Sequence, residues 1–508
     1  MMSELYDAIV VGSGAGGAAV GYKLAMNGRR VLLLEKGDEL PRDRSTLDVR
    51  QVFREGRFKN SEPWIDGRGK VFVPGEFYNV GGKTKWYGAA LLRFSPHEFG
   101  ADKGHQCLGW PIRYDDLAPY YDEAEGLLGI RRFANEPGLQ ALLDRIVAAD
   151  PAWRPEPLPL GLKPEILGDE QEAKHFDGFA SVCGYKSDAE VNLIRPLREL
   201  PGFTLLTGKT VSALLHDRDD PAAITGVACA DGSRYRARVV VLAAGAMASP
   251  RILHDHLAAT GLDRSLPCAA AVGANFKFHI NSAILGFSRV RNDDVLRKTA
   301  ILFNAAFPHS TVQCLGWIDG EILGTQLPAA VPAFLSRALG QRAIGFFATT
   351  EDGSAAANRI VSGGEGGMPM MDYDLRRLRP AASEHRTLVR AFTARLIRAG
   401  LLGVDRYTGM AGTAHALGSL VTGADPASSV VDADGKVYGL EGIYVGDGSI
   451  LPRSSRVNPA LTIYAWGLRM GDHLTGRIAA AASTDTEVAL PQGSGPHRRH
   501  PVTWSERR

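Results

Sequence analysis

"YDAIVVGSGAGGAAVGYKLAMNGRRVLLLEKG", residues 6–37, reads as one complete βαβ unit. Residues 7–11 form an apolar run that stops at Gly12. Gly12, Gly14 and Gly17 then set a G-x-G-x-x-G spacing, followed by a small-residue helix from Ala18 to Ala25. "RRVLLLEKG" supplies a second buried strand that ends in Glu35. Gly12 permits the tight turn, Gly14 lets a pyrophosphate approach the backbone, and Gly17 lets the helix pack on the strand. Glu35 stands 18 residues after Gly17, where a carboxylate can accept from ribose hydroxyls. The unit predicts a dinucleotide site. Its carboxylate disfavours a 2′-phosphate, but the unit alone does not separate NAD from FAD.

Two later stretches read as strands returning to the same sheet. "YRARVVVLAAGAMASPRIL" has a β-branched run, Val239 to Val241, that ends in "AAGA" at 243–246. "LEGIYVGDGSILP" has a run from Ile443 to Val445 that ends in Gly446, Asp447 and Gly448. Parallel strands that end in Gly or Asp present backbone and carboxylate at the edge where ligands bind. The pair predicts a nucleotide domain assembled from three separated segments.

The bulk numbers are compatible with this. The chain has 508 residues, 58 basic against 56 acidic, for a formal charge of +2. No long run of one charge points to a nucleic acid. Five scattered cysteines form no CxxC, which disfavours structural zinc or a disulfide framework. The chain opens directly on a strand, so a signal peptide is not expected, and no apolar run reaches a membrane span. A cytoplasmic protein is the expectation.

With these segments in order, the sequence resembles the glucose–methanol–choline (GMC) family of flavoprotein oxidoreductases from residue 5 to about 475. "NVGGKTKWYGAALLRFSPHEF" (79–99) resembles the family's glycine-rich flavin loop. "WPIRYDDLAPYYDEAEGLLGI" (110–130) resembles a segment of its bacterial sugar- and polyol-oxidising branches. "GAMASPRIL" (245–253) is similar to its second signature. "HALGS" with "GKVYGLEGIYVGDGSILPRSSRVNPALTIYAWGLRMGDHL" (435–474) resembles its C-terminal signature.

The resemblance implies FAD rather than NAD. Gly12, Ser13, Gly14, Gly17 and Glu35 would hold the ADP half, and Val211 would face the adenine through its backbone. Gly81, Gly82, Thr84 and Tyr87 would lie along the isoalloxazine. Asp447 would bind the ribityl or pyrophosphate region, Ala244 and Gly446 would also touch the cofactor, and Asn458, Pro459 and Ala460 would approach the pyrimidine end. Some relatives link FAD through a His in the flavin loop. "GGKTKWYG" has none, so noncovalent FAD is expected.

The resemblance also assigns roles to His415 and Asn458, where many relatives carry two histidines. An alcohol gives up a hydride as its O–H proton leaves, and imidazole is the usual base for that proton. His415 would be the base and Asn458 the group that orients the substrate oxygen. The turnover rate is then expected to rise with pH through one ionisation near neutrality. His279, in "GANFKFHINSA", matches a family position read as structural.

The expected fold is α/β, α+β overall. A Rossmann-like FAD domain is built from 1–270 and 405–480, with 40–135 partly in the flavin loop and cover. A substrate domain at 271–404 is expected to roof the flavin with an antiparallel sheet. "QLPAAVPAFLSRALG" reads as a helical cover and 386–402 as an amphipathic helix, with a disordered tail at 481–508. Trp317, Phe346 and Phe347 are candidate pocket residues. No metal is expected. The function implied is oxidation of a CH–OH group on a sugar, aminosugar, aminoglycoside or polyol. A sterol-type or other apolar alcohol oxidase, or a non-catalytic flavin-binding protein, stays open, as does the electron acceptor.

Overall fold

The computed structural model describes residues 5–326, 332–364, 366–409 and 415–488. A seven-stranded sheet carries the βαβ unit. Its strands lie in the order Phe203–Leu206, Val31–Leu34, Leu5–Val11, Arg234–Leu242, Ile224–Cys229, Val211–His216. Ile443–Val445 pairs in parallel with the second half of Arg234–Leu242, beyond the part that pairs with Ile224–Cys229.

The register of this sheet builds the site. Val11 lies beside Leu34 and Leu242, Leu34 beside Leu206, and Leu242 beside Val445. One hydrogen-bonded row closes the parallel strands: Glu35 N to Leu206 O, Gly12 N to Leu34 O, Ala243 N to Val11 O and Gly446 N to Leu242 O, at 2.8–2.9 Å. The next residues of three distant segments therefore emerge at one level of one edge.

Helix Ala15–Met26 follows the first strand, its inner face almost all Gly and Ala. A Cβ on Gly17 would sit 2.0 Å from Gly12 O, so only glycine lets helix and strand approach this closely. The same helix packs on Ala460–Val488, the longest helix of the chain's described residues. That helix runs eight residues into the stretch 481–508 read as a tail, and 489–508 lie outside the described residues.

The second sheet has six strands, antiparallel throughout, in the order Leu402–Tyr407, Ile280–Phe287, Ala343–Thr350, Ser310–Cys314, Ala300–Phe303, Arg154–Pro157. Its last strand comes from within 1–270. Alternation gives it two faces. Leu302, Val312, Phe346 and Ala348 pack with Leu142, Ile146, Phe392 and Leu396 of helices Pro137–Ala149 and Arg379–Arg398. Ile301, Gln313 and Phe347 lie in one row and take the opposite face. The amphipathic helix expected at 386–402 starts earlier and stops at Arg398, because Gly400, with φ of 86°, turns the chain into the edge strand. The expected cover helix is two helices, Gly320–Gln326 and Ala333–Gly340, and 327–331 between them lie outside the described residues.

Candidate active site

At the sheet edge, Glu35 is buried and accepts from Ser13 N (3.0 Å), Ser13 Oγ (2.5 Å) and Gly37 N (2.9 Å). Burial pushes its carboxyl up, against the pull of these donors. Ser13 Oγ in turn accepts from Gly81 N at 3.0 Å, which ties the glycine turn to the flavin loop. Lys209 N donates to Glu35 O at 2.8 Å, so the strand that begins at Val211 leaves from the same corner. A Cβ built on Gly14 would meet no heavy atom within 4 Å. This open cradle, beside a row of strand ends and a buried carboxylate, fits the pyrophosphate and ribose of a dinucleotide. A Glu35→Gln substitution keeps the volume and loses the charge. Equilibrium flavin binding should weaken by about 10-fold or more, since a charge-assisted hydrogen bond contributes ~1.5–3 kcal/mol. Unchanged affinity would remove Glu35 from the ribose site.

The third segment closes on the other two through Asp447. Its carboxylate accepts from Gly245 N (2.8 Å), Ser249 Oγ (2.5 Å) and Ser449 N (2.8 Å). Ser249 Oγ also accepts from Ala244 N at 3.0 Å. The Asp447 side chain is thus occupied by protein, joining the "AAGA" turn to the turn after Val445.

The flavin loop shows the same inward use of side chains. Thr84 Oγ1 donates to Gly81 O (2.5 Å) and accepts from Ala189 N (3.0 Å). Tyr87 OH donates to Ser187 O at 2.6 Å. Gly82 lies against Gly14, its would-be Cβ 3.2 Å from the Gly14 Cα. Thr84 and Tyr87 therefore shape the loop, and its backbone faces the glycine turn.

Asn458, Pro459 and Ala460 open the helix Ala460–Val488, whose N-terminus carries partial positive charge. Asn458 Oδ1 accepts a hydrogen bond from Gln313 Nε2 of the second sheet. Gln313 was not among the sequence candidates. An amide side chain between Val312 and Cys314 in a β-branched run was the only signal available. Phe347 stands beside Gln313 on the same face. Phe346 does not line this face. It is fully buried on the other one, 5.0 Å from the Phe392 ring, because strand neighbours alternate. Trp317 lies between the Lys174 ammonium (4.3 Å) and the Arg297 guanidinium (3.9 Å).

His415 is half-buried, and its Nδ1 lies 2.7 Å from Nδ1 of His279. The residues before it, 410–414, lie outside the described residues. His279 is fully buried, and its Nε2 lies 2.8 Å from Ser455 O. The histidine read as structural thus touches the proposed base. Burial above all, with the nearby Lys83 and Lys298 cations, holds the His415 imidazole well below its usual range. The His415 imidazole is neutral at pH 7. Any acidic limb that it sets in a pH–rate profile is expected below the ordinary imidazole pKa of about 6.5, rather than near neutrality as the sequence suggested.

Among the described residues, His105, His309 and Glu384 form one group with metal-ligating atoms close together. Their polar atoms pair with protein. His309 bridges Glu384 (3.1 Å) and Asp102 (3.0 Å), and His105 Nε2 meets Glu351 O at 2.9 Å. The two rings stack at 3.7 Å and 12°, so their in-plane lone pairs do not converge on one ion. No described helix is long and apolar enough to cross a membrane.

Comparison with known proteins agrees with this geometry. Residues 7–286 match the family model described as FAD dependent oxidoreductase, and residues 349–467 the one described as GMC oxidoreductase. The chain is 29% identical to 6'''-hydroxyparomomycin C oxidase of Streptomyces lividus, over 94% of this chain and 92% of that protein. It is 28% identical to paromamine 6'-oxidase of Streptomyces fradiae, with the same coverage. The crystal structure of pyridoxine 4-oxidase from Mesorbium loti shares the fold, with a TM-score of 0.64 at 18% identity, covering 92% of this chain and 99% of that one. The chain belongs to the FAD-dependent oxidoreductases, in the GMC oxidoreductase family.

Proposed function

We propose that this protein oxidises a CH–OH group of a sugar or aminosugar to a carbonyl, with noncovalently held FAD and His415 as the base. The observation that carries this reading is a run of contacts. Ser455 bears His279, His279 bears His415, and Asn458, three residues on, bears the contact to Gln313. An imidazole and an amide thus hang from one short segment at the start of a helix, beside the dinucleotide edge.

Bound FAD supplies the hydride acceptor. The residues of the chain do the rest. His415, neutral at pH 7, accepts the alcohol proton. Asn458, its Oδ1 taken by Gln313, offers its amide hydrogens to the alcohol oxygen and fixes the direction of the C–H bond. Ile301 and Phe347 flank Gln313 with apolar surface, which limits water around the developing charge. The two Streptomyces relatives, by name an oxidase of 6'''-hydroxyparomomycin C and one of paromamine, favour an aminosugar alcohol as substrate.

The test is anaerobic mixing of the yellow protein with a panel of sugars, aminosugars, polyols and steroids. Flavin bleaching with an aminosugar or sugar alcohol is expected. Bleaching only with a steroid, or with none, would overturn the proposal. Noncovalent attachment has its own test. Residues 79–90 contain no histidine, so acid precipitation should leave the flavin in the supernatant. Colour retained in the pellet would show a covalent bond.

A further inference from the structure

The contacts of His279 decide which nitrogen of His415 is the base. A carbonyl oxygen only accepts, so His279 Nε2, 2.8 Å from Ser455 O, carries its proton. Burial pushes the His279 pKa down to about 4, so this ring is neutral and its Nδ1 is a lone pair. His415 Nδ1, 2.7 Å from that lone pair, must therefore donate. The only nitrogen of His415 with a free lone pair is then Nε2.

The carbonyl that sets this chain is itself held in an unusual conformation. Ser455 has φ of 67°, a region a serine rarely enters. Two buried carboxylates fix it there. Glu98 accepts from Ser455 Oγ at 2.6 Å, and Glu351 accepts from Ser455 N at 3.1 Å. Glu351 is in turn locked by Arg453 Nε at 2.8 Å. Without this turn the carbonyl would point elsewhere, and either ring could adopt the other tautomer.

We propose that His279 and His415 act as one single-proton dyad, in which His279 shares the proton that His415 takes from the alcohol. The inference rests on the reading of His415 as base. In the step, the alcohol O–H bond breaks and its electron pair stays on oxygen. The proton bonds to His415 Nε2. The Nδ1 proton of His415 moves toward His279 Nδ1, and one positive charge spreads over two rings. His279 Nε2–H continues to donate to Ser455 O throughout. Two protons are not accepted, because two imidazolium rings at this distance repel. His279 is a positioning residue that also stabilises the charge formed on its neighbour.

Three of the charges around the pair are held in ion pairs. Lys83 is paired with Glu76 at 2.9 Å and Lys298 with Asp177 at 2.9 Å. Glu351, behind His279, is paired with Arg453. Lys277 lies two residues before His279, and Asp352 lies against the same segment, which leads into the strand Ile280–Phe287. Lys277 Nζ donates to Pro452 O, and Asp352 accepts from Phe278 N.

The experiment compares His279→Ala and His279→Asn holoenzymes with His415→Ala. Asparagine puts an acceptor oxygen near the place of Nδ1 but cannot take a proton. Both His279 variants are expected to retain the flavin spectrum and lose about 10–100-fold in kcat with little change in KM. The acidic limb of their pH profiles should move further into acid, since His415 alone is the weaker base. In 15N-histidine-labelled wild-type holoenzyme without substrate, a downfield ring N–H proton is expected, and it should vanish in His279→Ala and in His415→Ala. Full restoration of rate and limb by asparagine would show orientation alone and overturn the shared proton. A limb that moves up in pH would overturn it too, as would absence of the downfield signal in wild type. His415→Ala with unchanged turnover would instead sink the underlying reading of His415, a separate outcome. If the alanine variant does not fold, the asparagine variant and the wild-type spectrum still decide.

Discussion

His415→Ala lowers turnover by ~10²–10⁴-fold, the usual cost of losing a general base, while the bound-flavin spectrum stays unchanged. The imidazole makes its contact to His279, not to the glycine turns that cradle the nucleotide, so flavin retention should not depend on it. In the wild type, kcat/KM is expected to be flat through neutral pH and to fall only on the acid side, below about 6.5. The sign follows from burial: a depressed imidazole pKa keeps the base unprotonated down to lower pH. That acidic limb disappears in the alanine variant. Asn458→Ala costs less, because it removes the group that orients the oxygen and leaves the base. Steady-state kinetics across pH on the three proteins check this. An alanine variant at position 415 that kept both rate and limb would make the histidine a bystander.

Asp447→Ala gives the second large effect, on assembly rather than chemistry. The substitution orphans Gly245 N, Ser449 N and the Ser249 hydroxyl, all of which this carboxylate accepts from. Each buried donor left unsatisfied costs about 1–3 kcal/mol. Those donors sit in turns at the nucleotide edge, so the variant should lose FAD on gel filtration and melt well below wild type. Asp447→Asn, which keeps one carbonyl oxygen, should fall between. Holo and apo melting curves of the three proteins make the comparison. An alanine variant that melted with wild type and kept its flavin would show that the strand ends are held by the ladder alone.

The nucleotide edge was legible in the sequence because its signals are local. Gly12, Gly14, Gly17 and Glu35 fall within one βαβ unit, and the runs at 239–241 and 443–445 each end in small or acidic residues. The site's polar contacts were not legible in the same way. Thr84, Tyr87 and Asp447 stand beside the nucleotide edge but spend their side chains on Gly81, Ser187 and the turn at 245–249. A motif gives position along the chain, and only packing decides which way a side chain turns. His279 was hidden for a different reason. "FKFHI" alternates like any half-buried strand, and its partner lies 136 residues away. The left-handed Ser455 that fixes its tautomer has no sequence signal at all, since serine does not require positive φ. The pH limb was misplaced because imidazole burial, like these contacts, is a property of the fold.

The interleaved sheet has a consequence for how the protein is made. Strand Arg234–Leu242 sits between Leu5–Val11, synthesised long before it, and Ile443–Val445, synthesised long after. The emerging chain can close the first half of the nucleotide edge early. It cannot form Gly446, Asp447 or the helix from Ala460 beside that edge until that later segment, far beyond Leu242, has left the ribosome. Contacts of such sequence separation are slow to form, and unpaired strand edges invite aggregation meanwhile. The flavin can meet a finished pocket only after that last segment of the edge is made. Yield in the cell should therefore respond to flavin supply and to chaperones that guard the half-built sheet, more than to codon choice early in the gene.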